Sequence, residues 1–152
     1  MKRILLLLCI GVVVGAGGLA FAQHMIGGES VKEVLRQDIK EKLDGKDSAV
    51  TFVEVSIEPG KEGIPHHHPG PAFVYVIEGE YELGIDDQPT KKFKAGEAFC
   101  EPSGCLHRVS RNPSTKTRTR LIAVVVHPRD AKEVAVPAKM NESHQEAKES
   151  HR

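Results

Sequence analysis

The chain has no tryptophan, and aromatic residues make up only 5% of its 152 positions. Stacking surfaces for nucleic-acid bases are therefore scarce. Net charge is equally absent, because 21 basic residues meet 21 acidic ones. A nucleic-acid partner is excluded on both counts, since it requires a basic face and often interleaved rings. With 39% hydrophobic and 28% charged residues, the chain is neither collagen-like, nor a coiled coil, nor disordered throughout. Its length suits one ordinary globular domain.

Long apolar runs are missing too, except at the front. Lys2 and Arg3 precede an uncharged, mostly apolar stretch over residues 4–22 that closes on Ala20-Phe21-Ala22, the small-x-small form of a signal-peptidase site. Residues 1–22 read as a signal peptide cut after Ala22, with the protein exported to a periplasmic or secreted destination. Such a stretch just reaches across a bilayer at roughly 20 residues. Gly11, Gly15, Gly17, Gly18 and the cleavage site argue against a retained anchor, so no membrane association is expected after cleavage. Cys9 leaves with the peptide. The chain from Gln23 onward has a formal charge of −2 and keeps all eight histidines together with Cys100 and Cys105.

Residues 23–30 are polar and glycine-bearing, which suggests a flexible lead-in. Between Val31 and Leu43 the apolar residues Val31, Val34, Leu35, Ile39 and Leu43 fall at spacings that taken alone favour an amphipathic helix. The texture then changes to short apolar or alternating runs over residues 49–57, 72–77, 81–85, 97–100, 107–110 and 120–127. Turn residues such as Pro59-Gly60, Pro69-Gly70-Pro71 and Pro102-Ser103-Gly104 separate them. Many short strands at near-regular spacing indicate an all-β barrel or sandwich. Residues 137–152 have almost nothing apolar to bury and read as a disordered polar tail.

The chemistry-bearing residues are Pro65-His66-His67-His68-Pro69 and, further on, Cys105-Leu106-His107. On an extended strand His66 and His68 share one face while His67 takes the other. A third imidazole from a neighbouring strand then completes three nitrogen donors around one metal and leaves the opposite side open. The flanks add order. Gly60, His66, His68, Ala72 and Gly79 form one spaced set, and Gly96, Pro102, Gly104 and His107 form a second.

These two sets resemble the paired motifs of the cupin superfamily, G-x5-H-x-H-x3,4-E-x6-G and G-x5-P-x-G-x2-H-x3-N, and the likeness extends over roughly residues 31–130 in the manner of small single-domain bacterial cupins. The resemblance implies a double-stranded β-helix, a conical barrel of two antiparallel sheets, over residues 31–136. It implies strand material where the local pattern favours a helix, since sheet pairing overrides local periodicity. It implies that His66, His68 and His107 ligate a divalent metal, with Fe, Mn, Ni, Cu and Zn all compatible. It also adds a small-molecule substrate or ligand and a homodimer formed through edge strands.

Two positions depart from the motifs. Ala72 stands where a glutamate ligand is common, and Arg111 stands where the second motif ends in Asn, with Asn112 one place late. A methyl group cannot ligate, so the expected site is three neutral imidazoles without a carboxylate, which favours an anionic substrate or hydroxide. Glu101 and His67 are further candidates to complete the shell, but neither has the aligned position; Glu101 is expected to support the ligands or face solvent, and His67 to be exposed or hydrogen-bonded at the rim. His127 reads as a strand-end residue, and His24, His144 and His151 as solvated. Cys100 and Cys105 flank a chain reversal short enough to close a disulfide in an exported protein, stiffening the segment that carries His107; the competing reading is two reduced thiols, with Cys105 near the metal. The functional expectation is a metal-dependent, dioxygenase-like enzyme. A non-catalytic metal- or ligand-binding cupin and a zinc-type hydrolase, lyase or isomerase remain as alternatives.

Overall fold

The computed structural model describes residues 23–139, so the expected signal peptide and residues 140–152 of the expected tail lie outside the described residues. The described residues form eleven strands and no helix: β1 (Gln23–Ile26), β2 (Glu29–Leu43), β3 (Lys46–Ile57), β4 (His66–His67), β5 (Ala72–Glu78), β6 (Glu80–Ile85), β7 (Lys91–Lys94), β8 (Ala98–Glu101), β9 (Leu106–Arg111), β10 (Thr119–Pro128) and β11 (Val136–Pro137). They pair antiparallel into two sheets, ordered β1-β2-β3-β10-β5-β8 and β11-β4-β9-β6-β7. The all-β architecture of two antiparallel sheets expected from the sequence is the one observed.

Period-two alternation builds the interior. On β3 the residues Thr51, Val53, Val55 and Ile57 point inward, on β5 Ala72, Val74 and Val76, and on β10 Thr119, Leu121, Ala123, Val125 and His127. Ile57 and Val76 are fully buried with Leu83 in the apolar core, and Phe99 stacks on Tyr81 at 5.5 Å and meets Phe93 at 4.4 Å. Each fully buried Val or Ile side chain contributes about 1.5–3 kcal/mol relative to exposure. The β5–β6 turn needs its glycine. Gly79 sits at φ +78°, and an added Cβ would lie 2.4 Å from the Arg118 carbonyl oxygen.

Three local expectations are corrected. The helix-like spacing over residues 31–43 belongs to β2, whose pairing with β3 is shifted between Glu33 and Leu35 and again between Ile39 and Lys42. Each irregularity adds residues to one strand and breaks the alternation, so apolar residues recur at three and four instead of two. The lead-in is also structured, since β1 pairs with the start of β2 across a turn containing Gly27 at φ +64°. At the other end Val136 and Pro137 pair with His67 and His66, and the Ala138 amide donates to the Pro65 carbonyl at 2.9 Å, so residues 137 and 138 belong to the folded unit.

The expected Cys100–Cys105 disulfide is absent, and both thiols are free. Alternation along β8 turns Cys100 outward and Glu101 inward, whereas Cys105 is buried beyond the turn. One thiol thus faces solvent while the other is packed inside.

Asn112 explains the second departure from the motif. Fully buried, it donates from Nδ2 to the carbonyls of Ile57 (3.0 Å) and Thr117 (2.9 Å) and accepts from the Ser114 amide (2.9 Å), which shapes the crossing from β9 to β10. Arg111 before it pairs instead with Glu82. Asn112→Ala leaves two carbonyls and one amide without this partner. Urea unfolding is expected to show a loss of about 2–4 kcal/mol, at roughly 1 kcal/mol per hydrogen bond. A loss below about 0.5 kcal/mol would mean that the backbone holds the crossing unaided.

Candidate metal centre

The ladder between β4 and β9 sets His66 directly opposite His107, and His68 follows two residues along, on the same face as His66. All three rings are buried, and one donor atom from each lies within 4.8 Å of the others. Ring centroids are 4.7 Å apart for His66 and His107 and 4.8 Å apart for His66 and His68. His67 turns the other way, its Nδ1 at 3.1 Å from the carbonyls of both Gly104 and Cys105. His127 is buried outside this cluster, with Nε2 at 2.8 Å from the Thr51 hydroxyl. His24 is backbone of β1, and His144 and His151 lie outside the described residues.

The hydrogen bonds on the outer side of each ring decide where its lone pair points. His66 Nδ1 donates to the Ile64 carbonyl at 2.9 Å, and His68 Nδ1 donates to the Val134 carbonyl. His107 Nε2 donates to the Tyr81 hydroxyl at 3.0 Å, which donates to Ser110 Oγ at 2.9 Å, which in turn donates to Glu29 Oε1. With those protons placed outward, the unprotonated nitrogens are His66 Nε2, His68 Nε2 and His107 Nδ1, and all face inward. The two Nε2 atoms stand only 3.3 Å apart. Two lone pairs at that separation need something positive between them.

Glu101 makes the same point more strongly. It is 1% exposed, and its Oε2 lies 3.1 Å from His68 Nε2 and 3.5 Å from His107 Nδ1. With the imidazoles neutral, Glu101 Oε2 and His107 Nδ1 are buried without a hydrogen-bond partner. A buried acceptor left unpaired costs about 1–3 kcal/mol, and more when charged. The donor set thus fits a divalent cation: inward lone pairs, fixed tautomers and a buried anion, with an outer hydrogen bond behind each ring as metal-ligating histidines require. Of the two positions expected for Glu101, beside the ligands or facing solvent, strand alternation on β8 gives the first by turning it inward.

Without a metal, protons carry this role. Burial opposes charge on His68, but the adjacent Glu101 carboxylate, the Val134 carbonyl and Glu29 outweigh it and raise its pKa. Burial would raise Glu101, yet His68, His107 and His66 together hold it below the ordinary carboxylate range. Burial and the neighbouring rings His107 and His68 push His66 down to about 4. Burial also lowers His107, with His68 adding to the effect.

The centre forms one wall of a cavity of about 900 Å³ whose other walls include Val53, Val55, Val74, Leu121, Ala123 and Val125. That is the size and character of a small-molecule pocket. Glu29, at the start of β2, faces the same space and was missed by sequence reasoning. Nothing local distinguishes it from the polar residues around it. Its carboxyl packs on the bare Cα of Gly63, where a Cβ would come within 2.4 Å of Glu29 Cδ. The link that Tyr81 makes between His107 and Ser110 has no sequence signature either.

A cupin domain model matches residues 53–125. Residues 53–125 are a cupin domain. Solved structures agree with this cupin in fold. An RmlC-like cupin from Shewanella frigidimarina is 22% identical with a TM-score of 0.54, covering 76% of this chain and 91% of that one. The polyketide cyclase RemF from Streptomyces resistomycificus is 21% identical with a TM-score of 0.56, covering 98% and 93%. Oxalate decarboxylase from Bacillus subtilis is 16% identical with a TM-score of 0.60, covering 87% of this chain but 34% of that larger one. No curated protein sequence matches this cupin significantly.

Burial raises the Glu29 pKa from 4.5 to about 7, the nearby Glu101 charge adding to the rise, while the Ser110 hydrogen bond and His68 oppose it. The folded state holds this proton more tightly than the unfolded state. Glu29 therefore stabilises the fold fully below pH 4.5, and that contribution fades as pH rises through about 7. His66, lowered to about 4, acts in the opposite sense as pH falls, so the difference between proteins isolates Glu29. In metal-free protein, the advantage of wild type over Glu29→Gln is expected to shrink by about 3 kcal/mol between pH 4.5 and 8, at ~1.4 kcal/mol per pKa unit. Urea titrations at several pH values test this, and a pH-independent difference would refute it.

Proposed function

We propose that this cupin is an exported, metal-dependent enzyme acting on a small molecule with an apolar body and an oxygen-donor head, of oxygenase type when the metal is iron. The observation that carries the reading is the convergence of three inward-facing imidazole nitrogens on one wall of a mostly apolar cavity. A divalent cation held by His66, His68 and His107 supplies Lewis acidity towards a substrate oxygen and, if redox-active, electrons for dioxygen chemistry. The aliphatic wall holds the substrate body and excludes water, which strengthens every polar interaction at the centre.

Glu29 gives the cavity an acid–base group. A carboxyl poised near neutral pH can take a proton from a bound substrate and return it, and its Oε2 is free of the Ser110 bond that orients Oε1. This group supports turnover over passive binding, because a binding site has no need of a proton acceptor. Two proteins similar in fold are named as enzymes, a decarboxylase and a cyclase, which supports catalysis without specifying the reaction. Export rests on the sequence of residues 1–22, and a cut after Ala22 leaves β1 complete.

One preparation tests the reading. The full chain, expressed with its leader and recovered without a His-tag, is expected to begin at Gln23 by mass spectrometry and to contain about one divalent metal per chain by elemental analysis. His66→Ala, His68→Ala and His107→Ala are each expected to lose most of it, because a three-imidazole set reduced to two holds a metal far more weakly. Iron-loaded wild type is expected to consume oxygen with a subset of diketones, phenols or thiols. Wild type without stoichiometric metal would remove the proposal.

A further inference from the structure

The cupin motif places a carboxylate where this chain has Ala72, a fully buried residue of β5. β5 pairs antiparallel with β8, and the residue directly opposite Ala72 in that ladder is Glu101. Opposed residues project from the same face with Cβ atoms about 4.5–5.5 Å apart. A carboxylate moved from position 72 to position 101 therefore shifts sideways by one strand without leaving the inner face. The Ala72 methyl takes up little of that space.

The atoms show where that carboxylate goes. Glu101 closes β8 with 1% exposure, and its Oε2 stands 3.1 Å from His68 Nε2 and 3.5 Å from His107 Nδ1. Oε2 and His107 Nδ1 are the two buried side-chain atoms without a hydrogen-bond partner among the described residues. Both are acceptors, so neither can satisfy the other. A single cation beside them satisfies both.

We propose that Glu101 is the fourth protein ligand of the metal centre, bound through Oε2 from β8 in place of the carboxylate that the motif would supply from β5. The inference rests on the reading of His66, His68 and His107 as metal ligands. It changes the charge of the loaded site, since three neutral imidazoles and one carboxylate leave a divalent cation with a net charge of +1. An anionic substrate is then no longer needed to balance the centre.

Metal binding, with Co(II) and Zn(II) as the probes, tests the assignment on the mature chain. Wild type, Glu101→Gln, Glu101→Ala and the exchange variant Ala72→Glu/Glu101→Ala are stripped of metal and titrated. Losing a hydrogen-bond partner behind a ligand costs about 10- to 100-fold in affinity. Loss of the ligand itself is expected to weaken Zn(II) binding by more than about 100-fold in both single variants and to change the visible spectrum of the Co(II) form. The exchange variant is expected to recover a large part of the affinity by returning the carboxylate to the opposite rung. In wild type carrying ¹³C-glutamate, Co(II) binding is expected to shift a carboxylate infrared band that Glu101→Gln lacks, a readout that does not depend on either alanine variant folding.

Glu101→Gln with wild-type affinity and an unchanged Co(II) spectrum would overturn the assignment while leaving the three-histidine site intact. A drop within 100-fold with an unchanged spectrum would also overturn it, making Glu101 a partner of the ligands only. Failure of wild type to bind either metal, matched by His66→Ala, would instead overturn the underlying reading.

Discussion

Three imidazoles in this protein are held with their lone pairs towards one another, because each has its outer nitrogen committed elsewhere. The Ile64 and Val134 carbonyls and the Tyr81 hydroxyl take the outer protons. What remains at the centre is a buried set of acceptors with no donor among them. Such an arrangement is costly in an empty site, and a cation or a proton on His68 relieves it. A metal site meets this constraint better than a hydrogen-bonded histidine cluster does.

The same constraint organises the carboxylates. Glu101 is drawn down in pKa by the three rings beside it, whereas Glu29, reached through Tyr81 and Ser110, is pushed up by burial. Two buried glutamates in one cavity thus differ in protonation near neutral pH, one an anion at the centre and the other a carboxyl with its pKa raised to about 7 facing the apolar space. Environments that separate two carboxyls in this way mark acid–base assignments in active sites. The accommodation is local. Gly63 withholds a Cβ so that Glu29 fits, and Ala72 leaves the inner face of β5 open beside Glu101.

Most of the barrel was legible because period-two patterning and turn chemistry are local signals. The runs later seen as β3, β5, β6, β8, β9 and β10 could be marked to within a few residues. β2 was not, because its two irregularities give its apolar residues a helical spacing, and only the resemblance to a cupin pointed to a strand there. The short strands β1, β4, β7 and β11 carry too few apolar residues to register. They exist because a neighbour supplies hydrogen bonds. The disulfide expectation failed for a related reason: separation along the chain was short, but alternation on β8 sent Cys100 to the outer surface.

By itself, the sequence determined the all-β class, the turns and the three histidines, since motif spacing and strand alternation put His66 and His68 on one face whatever the rest of the fold does. The tertiary structure alone decided that Glu101 faces inward at the rung opposite Ala72, that Glu29 reaches the cavity from β2, and that Asn112 serves the β9–β10 crossing. Those placements depend on strand register between segments far apart in the chain, and register is set by pairing energies summed over whole ladders that no single stretch of sequence contains.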